Sequence, residues 1–308
     1  MTTSARTLRV GTRGSELALV QARSVIAALV AAYPKVRCEE VIISTRGDRL
    51  VDRSFAEAGS RGIFALDLET TLREGAIDLA VHSLKDLAST PPEALVLGAI
   101  LPRADPRDAL VSRDGRAFAE LTEAASIATS SVRRSALLRC RRPDIVVKPI
   151  RGNVPTRLRK ARELGYDGVI LAAAGLDRLG LSAAISERLD PDWFLPEAGQ
   201  GAIAVQVRED DSTARTLVAA LDDASSAACC LAERSCVASL GGDCDTPIAA
   251  LAQVQDGWIG LTALVCTTDG QTMLRRTARG PLNAPAQLGK HVAAELLDAG
   301  AASLIGQR

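Results

Sequence analysis

The stretch Leu8-Arg-Val-Gly-Thr-Arg-Gly-Ser-Glu16 sets the pattern by which this chain folds. Its first half is typical of a short strand, and Ser15 is a residue type that favours the N-cap of a helix. Glu16 stands in the first turn of the helix that we predict next, an Ala/Leu/Val segment that runs to about Tyr33. We therefore predict strand, turn and helix in direct succession, which is typical of α/β proteins.

Two further predicted strands, at 38–45 and 77–81, complete a β-α-β pattern. This spacing indicates a parallel sheet, in which the loops at the carboxyl ends of the strands face a ligand crevice. Residues 46–62 lie between these strands and contain three glycines and many charged residues. The segment is either a lid over the site or an ordinary solvated connection.

The same pattern occurs a second time between two proline-marked crossovers, at 102–106 and 191–196. In this second unit we predict strands at 126–129, 145–150 and 166–171, and helices at 133–142 and 154–164. A strand at 202–207 is predicted to return to the first unit. Two α/β lobes joined by two crossovers predict a hinged cleft, as in bilobal binding proteins of the periplasmic-binding-protein-like fold.

From about residue 224 the pattern changes to a small α+β arrangement, in which turn signals at Asp256-Gly257 and Asp269-Gly270 favour antiparallel strands. Its predicted elements are a helix at 229–240, a loop at 241–247, strands at 248–253, 258–266 and 273–278, and an amphipathic helix at 284–299. The fold class is therefore α/β with a small α+β C-terminal domain. The predicted domains are 1–101 plus 202–219, then 107–195, then 224–308.

The composition disfavours several classes of partner. Lysine plus arginine and aspartate plus glutamate are 37 each, and a net charge near zero is not typical of nucleic-acid or membrane-surface binding. No run approaches the ~18 apolar residues of a membrane span, and the amino terminus lacks an apolar signal segment. Seven cysteines without regular spacing do not indicate a disulfide framework. We expect a cytoplasmic protein with reduced thiols and no nucleic-acid or membrane partner.

The basic residues are mostly arginines, the better residue type for forked recognition of carboxylate or phosphate. Several of them lie at or just beyond the end of a predicted strand, where an open α/β sheet presents its site. Any one of them could be a solvated helix residue, but six in corresponding positions of two lobes suggest a ligand with several anionic groups. No Walker A motif is present, which disfavours a nucleoside triphosphate. The six are Arg13, Arg133, Arg134, Arg151, Arg157 and Arg178.

The segment His82-Ser-Leu-Lys-Asp86 ends a predicted strand on the crevice side. An aspartate among so many arginines stays ionised, and Asp86 could therefore stabilise a cation. A plain surface ion pair between Lys85 and Asp86 is the alternative. His82 is interpreted as a hydrogen-bonded structural residue rather than a base or a metal ligand.

The loop Gly241-Gly-Asp-Cys-Asp-Thr-Pro247 is the sharpest local signal. Its two glycines allow close approach of the backbone to another group, and a thiol in such a loop can act as a nucleophile. The flanking carboxylates of Asp243 and Asp245 raise a thiol pKa, which fits a cysteine that is modified once rather than one that turns over. No paired Cys or His residues lie at metal-ligand spacing, and we expect no metal site.

Taken together, these segments resemble one family, hydroxymethylbilane synthase, also called porphobilinogen deaminase. The resemblance covers nearly the whole chain, with ten motifs in collinear order. They are Thr12-Arg-Gly-Ser15, Thr45-Arg-Gly-Asp48, Gly62-Ile-Phe64, Val81-His-Ser-Leu-Lys-Asp86, Asp105-Pro-Arg-Asp108, Thr129-Ser-Ser-Val-Arg-Arg134, Arg151-Gly-Asn-Val-Pro-Thr-Arg157, Ala174-Gly-Leu-Asp-Arg-Leu179, Leu195-Pro-Glu-Ala-Gly-Gln-Gly201 and Cys244-Asp-Thr-Pro-Ile248.

The resemblance implies a dipyrromethane cofactor joined by a thioether to Cys244, on which four porphobilinogen molecules are added with loss of ammonia. It implies that Asp86 is the catalytic aspartate, which stabilises the cationic azafulvene formed on deamination. Cofactor contacts are implied for Lys85, Asp86, Ser131, Arg133 and Arg134. Substrate contacts are implied for Arg13, Ser15, Gln21, Arg151, Arg157 and Arg178, lid positions for Arg61 and Phe64, and a monomeric state is expected.

Three positions differ from the family's common pattern: Asp243 stands between the glycines and Cys244, Pro155 replaces a glycine, and Arg61 replaces a lysine. None removes a proposed chemical group. Cys236, within a predicted helix, is a poorer candidate for the anchor than Cys244. A bilobal anion-binding protein without catalysis is the main alternative, although it would need neither a third domain nor a loop cysteine. A ligand-sensing DNA-binding regulator would need a helix-turn-helix segment before residue 8.

Overall fold

The structure is a computed structural model that describes residues 7–45, 63–90, 92–242 and 246–305. Its contacts divide the chain into two compact units, of which the first comprises residues 1–103 with 202–227. The second comprises residues 104–201 with 228–308. The division into three domains stays a prediction.

Strands and α-helices alternate in parts of the described chain, whereas β3 to β6 and β11 to β13 follow one another without an intervening α-helix. The strands are β1 Thr7–Arg13, β2 Arg37–Ile43, β3 Leu79–Ser83, β4 Leu95–Ile100, β5 Asp108–Ser112, β6 Ser126–Ala128, β7 Val146–Lys148, β8 Gly168–Ala172, β9 Glu187–Arg188, β10 Ile203–Arg208, β11 Ile248–Gln255, β12 Trp258–Cys266 and β13 Met273–Pro281. The α-helices are α1 Glu16–Ala32, α2 Ile63–Arg73, α3 Val132–Arg141, α4 Val154–Glu163, α5 Ala173–Arg178, α6 Ser212–Ala219, α7 Ala224–Ser239, α8 Pro285–Asp298 and α9 Ala301–Ile305.

The first unit contains a five-stranded sheet in the order β2-β1-β3-β10-β4. Strand β1 is parallel to β2 and β3, as the β-α-β spacing predicted, whereas β10 is antiparallel to β3 and β4. The predicted return of a strand near 202–207 to this sheet is confirmed by β10. Because β10 enters from far along the chain, its direction could not be read from local spacing.

Helices cover both faces of this sheet because its strands alternate their apolar side chains. Leu8 and Val10 of β1 pack with α1 residues such as Val25 in one core, which also receives Val218 of α6. On the other face, Leu68 of α2 packs in a separate core that includes Ala80 of β3. The side chains of β3 therefore alternate between the α1 side and the α2 side.

The second unit contains a five-stranded sheet in the order β7-β6-β8-β5-β9 and a three-stranded sheet in the order β11-β12-β13. In the first of these, β6 is parallel to β7 and β8, and β5 is antiparallel to β8. In each five-stranded sheet, four strands thus run in one direction, and one strand, β10 in the first sheet and β5 in the second, is antiparallel to both of its neighbours. The predicted fold class, α/β with two sheet-rich lobes and a small C-terminal sheet, is confirmed.

The C-terminal sheet is antiparallel throughout, as predicted. Strands β11 and β12 are joined by Asp256 and Gly257, whose φ angles are 52° and 77°. Two consecutive positive φ angles define the tight hairpin turn that Asp-Gly sequences favour. The turn signal in the sequence was therefore correct.

Several elements were missing from the sequence prediction. Strands β4 and β5 flank the predicted crossover and were not identified, and β5 is buried at all five positions. A fully buried strand lacks the polar–apolar alternation that marks a half-exposed one. Helix α2 begins at Ile63, directly after the predicted loop, and α9 follows α8 as a separate short helix.

Candidate active site

A shallow pocket that opens to solvent lies in the first unit, at the carboxyl ends of β1 and β3. Its location is the one expected for a site in an open α/β sheet. Four residues predicted from the sequence to contact substrate or cofactor line it together. The pocket is lined by Arg13, Ser15, Leu17, Ala18, Gln21, Ala65, Val81, His82, Ser83 and Asp86.

The local sequence explains how Arg13 and Ser15 reach this pocket. Arg13 is the last residue of β1, and the chain turns at once into α1. Ser15 is the N-cap of α1, with its Oγ accepting a hydrogen bond from the backbone nitrogen of Ala18 at 3.4 Å. The predicted cap is confirmed, and it brings the end of the strand and the first turn of the helix to one edge of the pocket.

Gln21 joins α1 to the end of β3. Its side chain is buried, and its Nε2 donates to Ser83 Oγ at 2.9 Å. Helix α1 lies against the sheet at this point, so the amide bridges the two elements that carry most of the pocket lining. No sequence pattern predicted the pairing of Gln21 with Ser83, because the two residues are 62 positions apart.

Lys85 and Asp86 lie in a short 3-10 turn, Leu84–Asp86, that directly follows β3. Both side chains are half-buried. Asp86 lines the pocket together with Arg13, whereas Lys85 is not among the lining residues. One carboxylate and one guanidinium in the same pocket suit a ligand that carries both a cationic and an anionic group.

His82 is the most deeply buried titratable group of the pocket lining, with 6% of its surface exposed. Burial lowers its pKa to about 4, a hydrogen-bonding contribution from Gln206 opposes that shift, and the positive charge of Arg13 adds to it. The imidazole is therefore neutral near pH 7. This agrees with the interpretation that His82 is not a general base.

In the second unit, Arg133 and Arg134 of α3 form a buried cluster with Asp108 of β5. Their guanidinium groups lie 2.8 and 2.7 Å from the carboxylate oxygens of Asp108, which is completely buried. Gln200 adds a hydrogen bond from its Nε2 to Asp108 Oδ1 at 3.1 Å. Asp108 and Gln200 belong to two of the ten collinear motifs, but the sequence alone assigned neither a role.

Arg133 and Arg134 are satisfied to different degrees within this cluster. Arg134 also donates from Nη1 to the carbonyl oxygen of Ile170 at 3.1 Å, and Arg133 donates from Nη1 to that of Leu195 at 2.8 Å. The Nε and Nη2 atoms of Arg133 are buried and make no hydrogen bond to any described residue. Arg133 therefore has two buried donor groups whose hydrogen-bonding capacity the described residues do not satisfy.

Ser131 is the N-cap of α3, and its Oγ accepts from the backbone nitrogen of Arg134 at 3.4 Å. The remaining predicted arginines of the second unit are half-buried. Arg157 donates from Nε to the carbonyl oxygen of Gly152 at 2.7 Å, and Arg178 donates from Nη2 to that of Gly201 at 2.7 Å. Partial burial lowers the pKa of Arg178 from its ordinary value. Arg151 directly precedes the Gly152 turn.

Three predicted site residues cannot be placed in the site. Cys244 and Arg61 lie outside the described residues, as does the predicted loop at 46–62, and the side chain of Phe64 is also outside them. The rival anchor Cys236 lies inside α7, is fully buried, and has a pKa raised to about 12 by burial and by the charge of Glu233. Such a thiol is a poor nucleophile.

Two kinds of feature are absent from the described residues. No helix there combines the length and apolarity that a membrane crossing requires. Likewise, that part of the chain holds no group of three or more His, Cys, Asp or Glu residues arranged to bind a metal ion.

Two family models match the chain. The model for the porphobilinogen deaminase dipyromethane cofactor binding domain matches residues 8–216, and that for the porphobilinogen deaminase C-terminal domain matches residues 227–298. The porphobilinogen deaminase of Roseiflexus sp. (strain RS-1) is 46% identical over 97% of this chain and 99% of that protein. That of Moorella thermoacetica is 45% identical over 97% of this chain and 95% of that protein.

Solved structures with a similar chain trace include bacterial binding domains. The BvgS VFT2 domain of Bordetella pertussis is 16% identical, with a TM-score of 0.43, over 70% of this chain and 86% of that chain. The methionine-binding protein MetQ is 14% identical, with a TM-score of 0.43, over 70% of this chain and 89% of that chain.

The fold and the pocket define an α/β protein with a charged pocket at the carboxyl ends of the sheet strands of its first unit. Two matching family models and relatives of more than 40% identity over nearly the full length then settle its family. The chain belongs to the porphobilinogen deaminase family. It is a transferase with hydroxymethylbilane synthase function in tetrapyrrole synthesis.

Proposed function

We propose that this chain adds four porphobilinogen molecules, one at a time and each with loss of ammonia, to a dipyrromethane primer held by a thioether to Cys244. Water then releases the linear tetrapyrrole hydroxymethylbilane. One observation supports the reaction most directly: Arg13, Ser15, Gln21 and Asp86 line a single pocket. That pocket offers a guanidinium, a carboxylate and neutral hydrogen-bonding groups to a ligand that carries both charges.

The arginines account for substrate binding. Each pyrrole brings two carboxylates, and forked, charge-assisted hydrogen bonds from arginine to carboxylate are strong and directional. Arg13 lines the pocket of the first unit. In the second unit three further arginines are half-buried: Arg151 in the loop after β7, Arg157 in α4 and Arg178 at the end of α5. We assign these four arginines, with Ser15 and Gln21, to the acetate and propionate groups of porphobilinogen.

Asp86 accounts for the chemical step. Loss of ammonia from the aminomethyl group leaves a cationic azafulvene, whose methylene carbon then bonds to the free α-carbon of the growing chain, and that carbon loses its proton. A carboxylate fixed in a half-buried turn stabilises positive charge where it develops, because it need not reorganise during the reaction. In this assignment Asp86 also accepts hydrogen bonds from pyrrole N–H groups, and we assign to it the transfer of the proton that the α-carbon loses.

The residues of the second unit fit a bound dipyrromethane. Arg133 keeps two buried donor atoms without a partner among the described residues, and carboxylates are the groups that such donors need. Arg133, Arg134, Ser131, Lys85 and Asp86 would hold the cofactor, and Cys244 would carry it. When bound, the dipyrromethane supplies the free α-carbon from which the chain grows. The buried Asp108 holds the two arginine side chains in place before any ligand binds.

The remaining expectations form part of the same proposal. Residues 46–62, with Arg61 near their end and Phe64 just beyond it, are assigned to a lid. The two lobes are assigned to a hinged cleft that gives a growing chain room. The three domains are 1–101 plus 202–219, 107–195 and 224–308. We also propose a cytoplasmic monomer that binds neither nucleic acid nor membrane.

The intact mass of the purified protein tests the tether. The proposal requires an excess over the chain mass that corresponds to two joined pyrrole units, and its loss in Cys244→Ser. Cys140→Ser is the matched control because Cys140 is an exposed thiol outside the site. An active wild-type protein of unmodified mass would contradict the assignment, as would an adduct that persists in Cys244→Ser. Native mass spectrometry of the same sample reads the oligomeric state.

The variant Asp86→Asn tests the chemical role. It removes the negative charge and keeps the shape of the side chain. The chain should therefore retain its fold and the loop that carries the adduct, while product formation falls at least about 100-fold. Tetrapyrrole formation is measured in a single-turnover assay beside circular dichroism. Near-normal turnover would refute the role of Asp86.

A further inference from the structure

A buried polar row lies on the α2 face of the first sheet. Ala204 of β10 is paired with His82 of β3, so Gln206, two residues further along β10, faces the same side as a diagonal neighbour of His82. Glu69 of α2 is buried above them, and its Oε1 accepts a hydrogen bond from Gln206 Nε2 at 3.0 Å. Glu69, Gln206 and His82 thus form a row that ends at the pocket.

The hydrogen bond to Glu69 fixes which way the Gln206 amide points. A carboxylate oxygen can only accept from the amide NH2 group, so Gln206 Oε1 is directed away from Glu69. Gln206 Oε1 and His82 Nε2 are both buried, and neither has a hydrogen-bond partner elsewhere among the described residues, while the Gln206 side chain raises the pKa of His82 through a hydrogen-bonding contribution. Gln206 Oε1 is an acceptor, and His82 Nε2 is a donor when it carries the ring proton. Each atom is therefore a suitable hydrogen-bond partner for the other.

We propose that Glu69 and Gln206 hold His82 as the neutral Nε2–H tautomer, so that Nδ1 presents one lone pair to the pocket and accepts an N–H group of the bound pyrrole substrate. His82 is then a positioning residue for the substrate rather than a proton acceptor. The inference rests on the proposed function for the identity of the ligand. The tautomer itself is a property of the resting protein.

Burial and the positive charge of Arg13 favour a neutral His82 ring, although two carboxylates also lie nearby. Arg13, at the end of β1, faces it from the pocket side and opposes a second positive charge. Glu69 lies beyond Gln206 and is engaged with its amide, and Asp86 lines the same pocket from the turn after β3. Burial adds to the effect of Arg13 and lowers the pKa of His82 to about 4.

The chemistry explains why a neutral acceptor is useful there. Porphobilinogen offers a pyrrole N–H and an ammonium group, and both are hydrogen-bond donors. A second carboxylate beside Asp86 would raise the pKa of one of the pair by mutual repulsion. An imidazole lone pair binds the same donors and leaves Asp86 ionised.

Nitrogen NMR of histidine-labelled protein tests the tautomer directly. The chain has two histidines, and His291→Gln assigns the signal of His82 by elimination. Long-range proton–nitrogen correlations should show Nε2 protonated and Nδ1 unprotonated between pH 6 and 8. In Gln206→Leu the acceptor is gone, and the signals should shift toward a mixture of tautomers. A protonated Nδ1 in the wild type, or a tautomer unaffected by Gln206→Leu, would overturn the proposal.

Two substitutions at His82 distinguish the roles of its two ring nitrogens. In His82→Gln the side-chain nitrogen replaces Nε2 toward Gln206 but no acceptor stands at Nδ1, so KM for porphobilinogen should rise about fivefold, which matches the loss of one neutral hydrogen bond. In His82→Asn the oxygen stands near Nδ1, and KM should stay within about twofold of the wild-type value. Equal KM values for wild type and His82→Gln would overturn the positioning role.

Ligand titration identifies the donor group and keeps this inference separate from the proposed function. A pyrrole with the same two carboxylates but without the aminomethyl group should perturb the Nδ1 signal if the pyrrole N–H is the donor. If the ammonium is the donor, only porphobilinogen should do so. If neither compound perturbs the Nδ1 signal, the proposed contact between His82 and the substrate is contradicted. The mass and Asp86→Asn experiments report on the reaction and do not depend on these spectra.

Discussion

Asp108 shows how one buried carboxylate holds several polar side chains in place. It is completely buried and pairs with both Arg133 and Arg134, and Gln200 donates a further hydrogen bond to it. Two desolvated guanidinium groups without a counter-charge would be costly, since a buried ion loses several kcal/mol of hydration energy. The carboxylate offsets that loss, while two buried donor atoms of Arg133 have no hydrogen-bond partner among the described residues.

We predict that Asp108→Asn destabilises the protein by about 3–5 kcal/mol, because it leaves two buried cations without a counter-charge. The change is read as the free energy of unfolding in urea. Glu163→Gln is the matched control, since it breaks the exposed i,i+4 pair between Arg159 and Glu163 on α4. That loss should cost at most about 0.5 kcal/mol. A similar effect of both variants would contradict a structural role for Asp108.

At the residue scale, His82 leads to a second prediction, which concerns the pH dependence of the stability of the fold. Its pKa is lowered to about 4 by burial, whereas in the unfolded chain it is close to 6.5. Between these values the unfolded chain binds a proton that the folded chain does not. Stability is therefore full above pH 6.5 and falls as pH drops toward 4, by about 3 kcal/mol for this group.

The difference between wild type and His82→Gln isolates this contribution from that of the carboxylates. Urea unfolding at pH 7, 5 and 4 should show a steeper loss of stability in the wild type than in His82→Gln. His291→Gln, at an exposed position of α8, should keep the steep wild-type dependence. Parallel curves for wild type and His82→Gln would show that His82 is not held neutral.

At the scale of elements, α7 and α8 approach each other closely enough to require a glycine. A Cβ added at Gly289 of α8 would overlap the carbonyl oxygen of Ala232 and lie 2.8 Å from the backbone nitrogen of Cys236. Both atoms belong to the α7 backbone, which cannot move as a side chain can. Helix α7 also carries Glu233, whose carboxylate accepts hydrogen bonds from the backbone nitrogens of Gly199 and Ala252, each at 2.7 Å.

We predict that Gly289→Ala destabilises the protein by about 2 kcal/mol. Overpacking against the backbone costs about 3 kcal/mol, and the better helix propensity of alanine returns about 1 kcal/mol. Gly260→Ala in β12 is the control, because the nearest atom to its added Cβ is 3.9 Å away. It should be neutral in a thermal unfolding experiment, and a stable Gly289→Ala would show that the two helices can separate without cost.

At the scale of the whole molecule, the chain has zero net charge, so its acidic residues balance the positive charge of the basic residues, which include the arginines of both units. Carboxylates of a tethered dipyrromethane would bind the folded state alone and stabilise it by linkage. We predict that Cys244→Ser, which lacks the tether, unfolds at a Tm lower by about 5 °C.

Differential scanning calorimetry of the two proteins measures this effect. Added sulfate should raise the Tm of Cys244→Ser more than that of the wild type, since the anion takes the place of the missing carboxylates. Cys140→Ser should match the wild type because its thiol is exposed and unmodified. Equal Tm values for wild type and Cys244→Ser would mean that the arginines do not depend on a bound anion.

The sequence by itself determined those features whose cause is local. The cap at Ser15, the Asp256-Gly257 hairpin turn and the β-α-β succession follow from residues a few positions apart. The collinear motifs likewise indicated the family, which the matching family models confirmed. Strand β5 was missed because a fully buried strand carries no local alternation.

The tertiary structure decided which polar residues meet. Arg134 and Asp108 are 26 positions apart, and Gln206 and Glu69 are 137 positions apart, so no spacing rule relates them. Arg133 and Arg134 were predicted as cofactor contacts, yet their burial against Asp108 was not foreseeable, and neither was the polar row that ends at His82. The physical reason is that a buried charge or amide must find its partner across the sheet, and only the folded chain determines which partner that is.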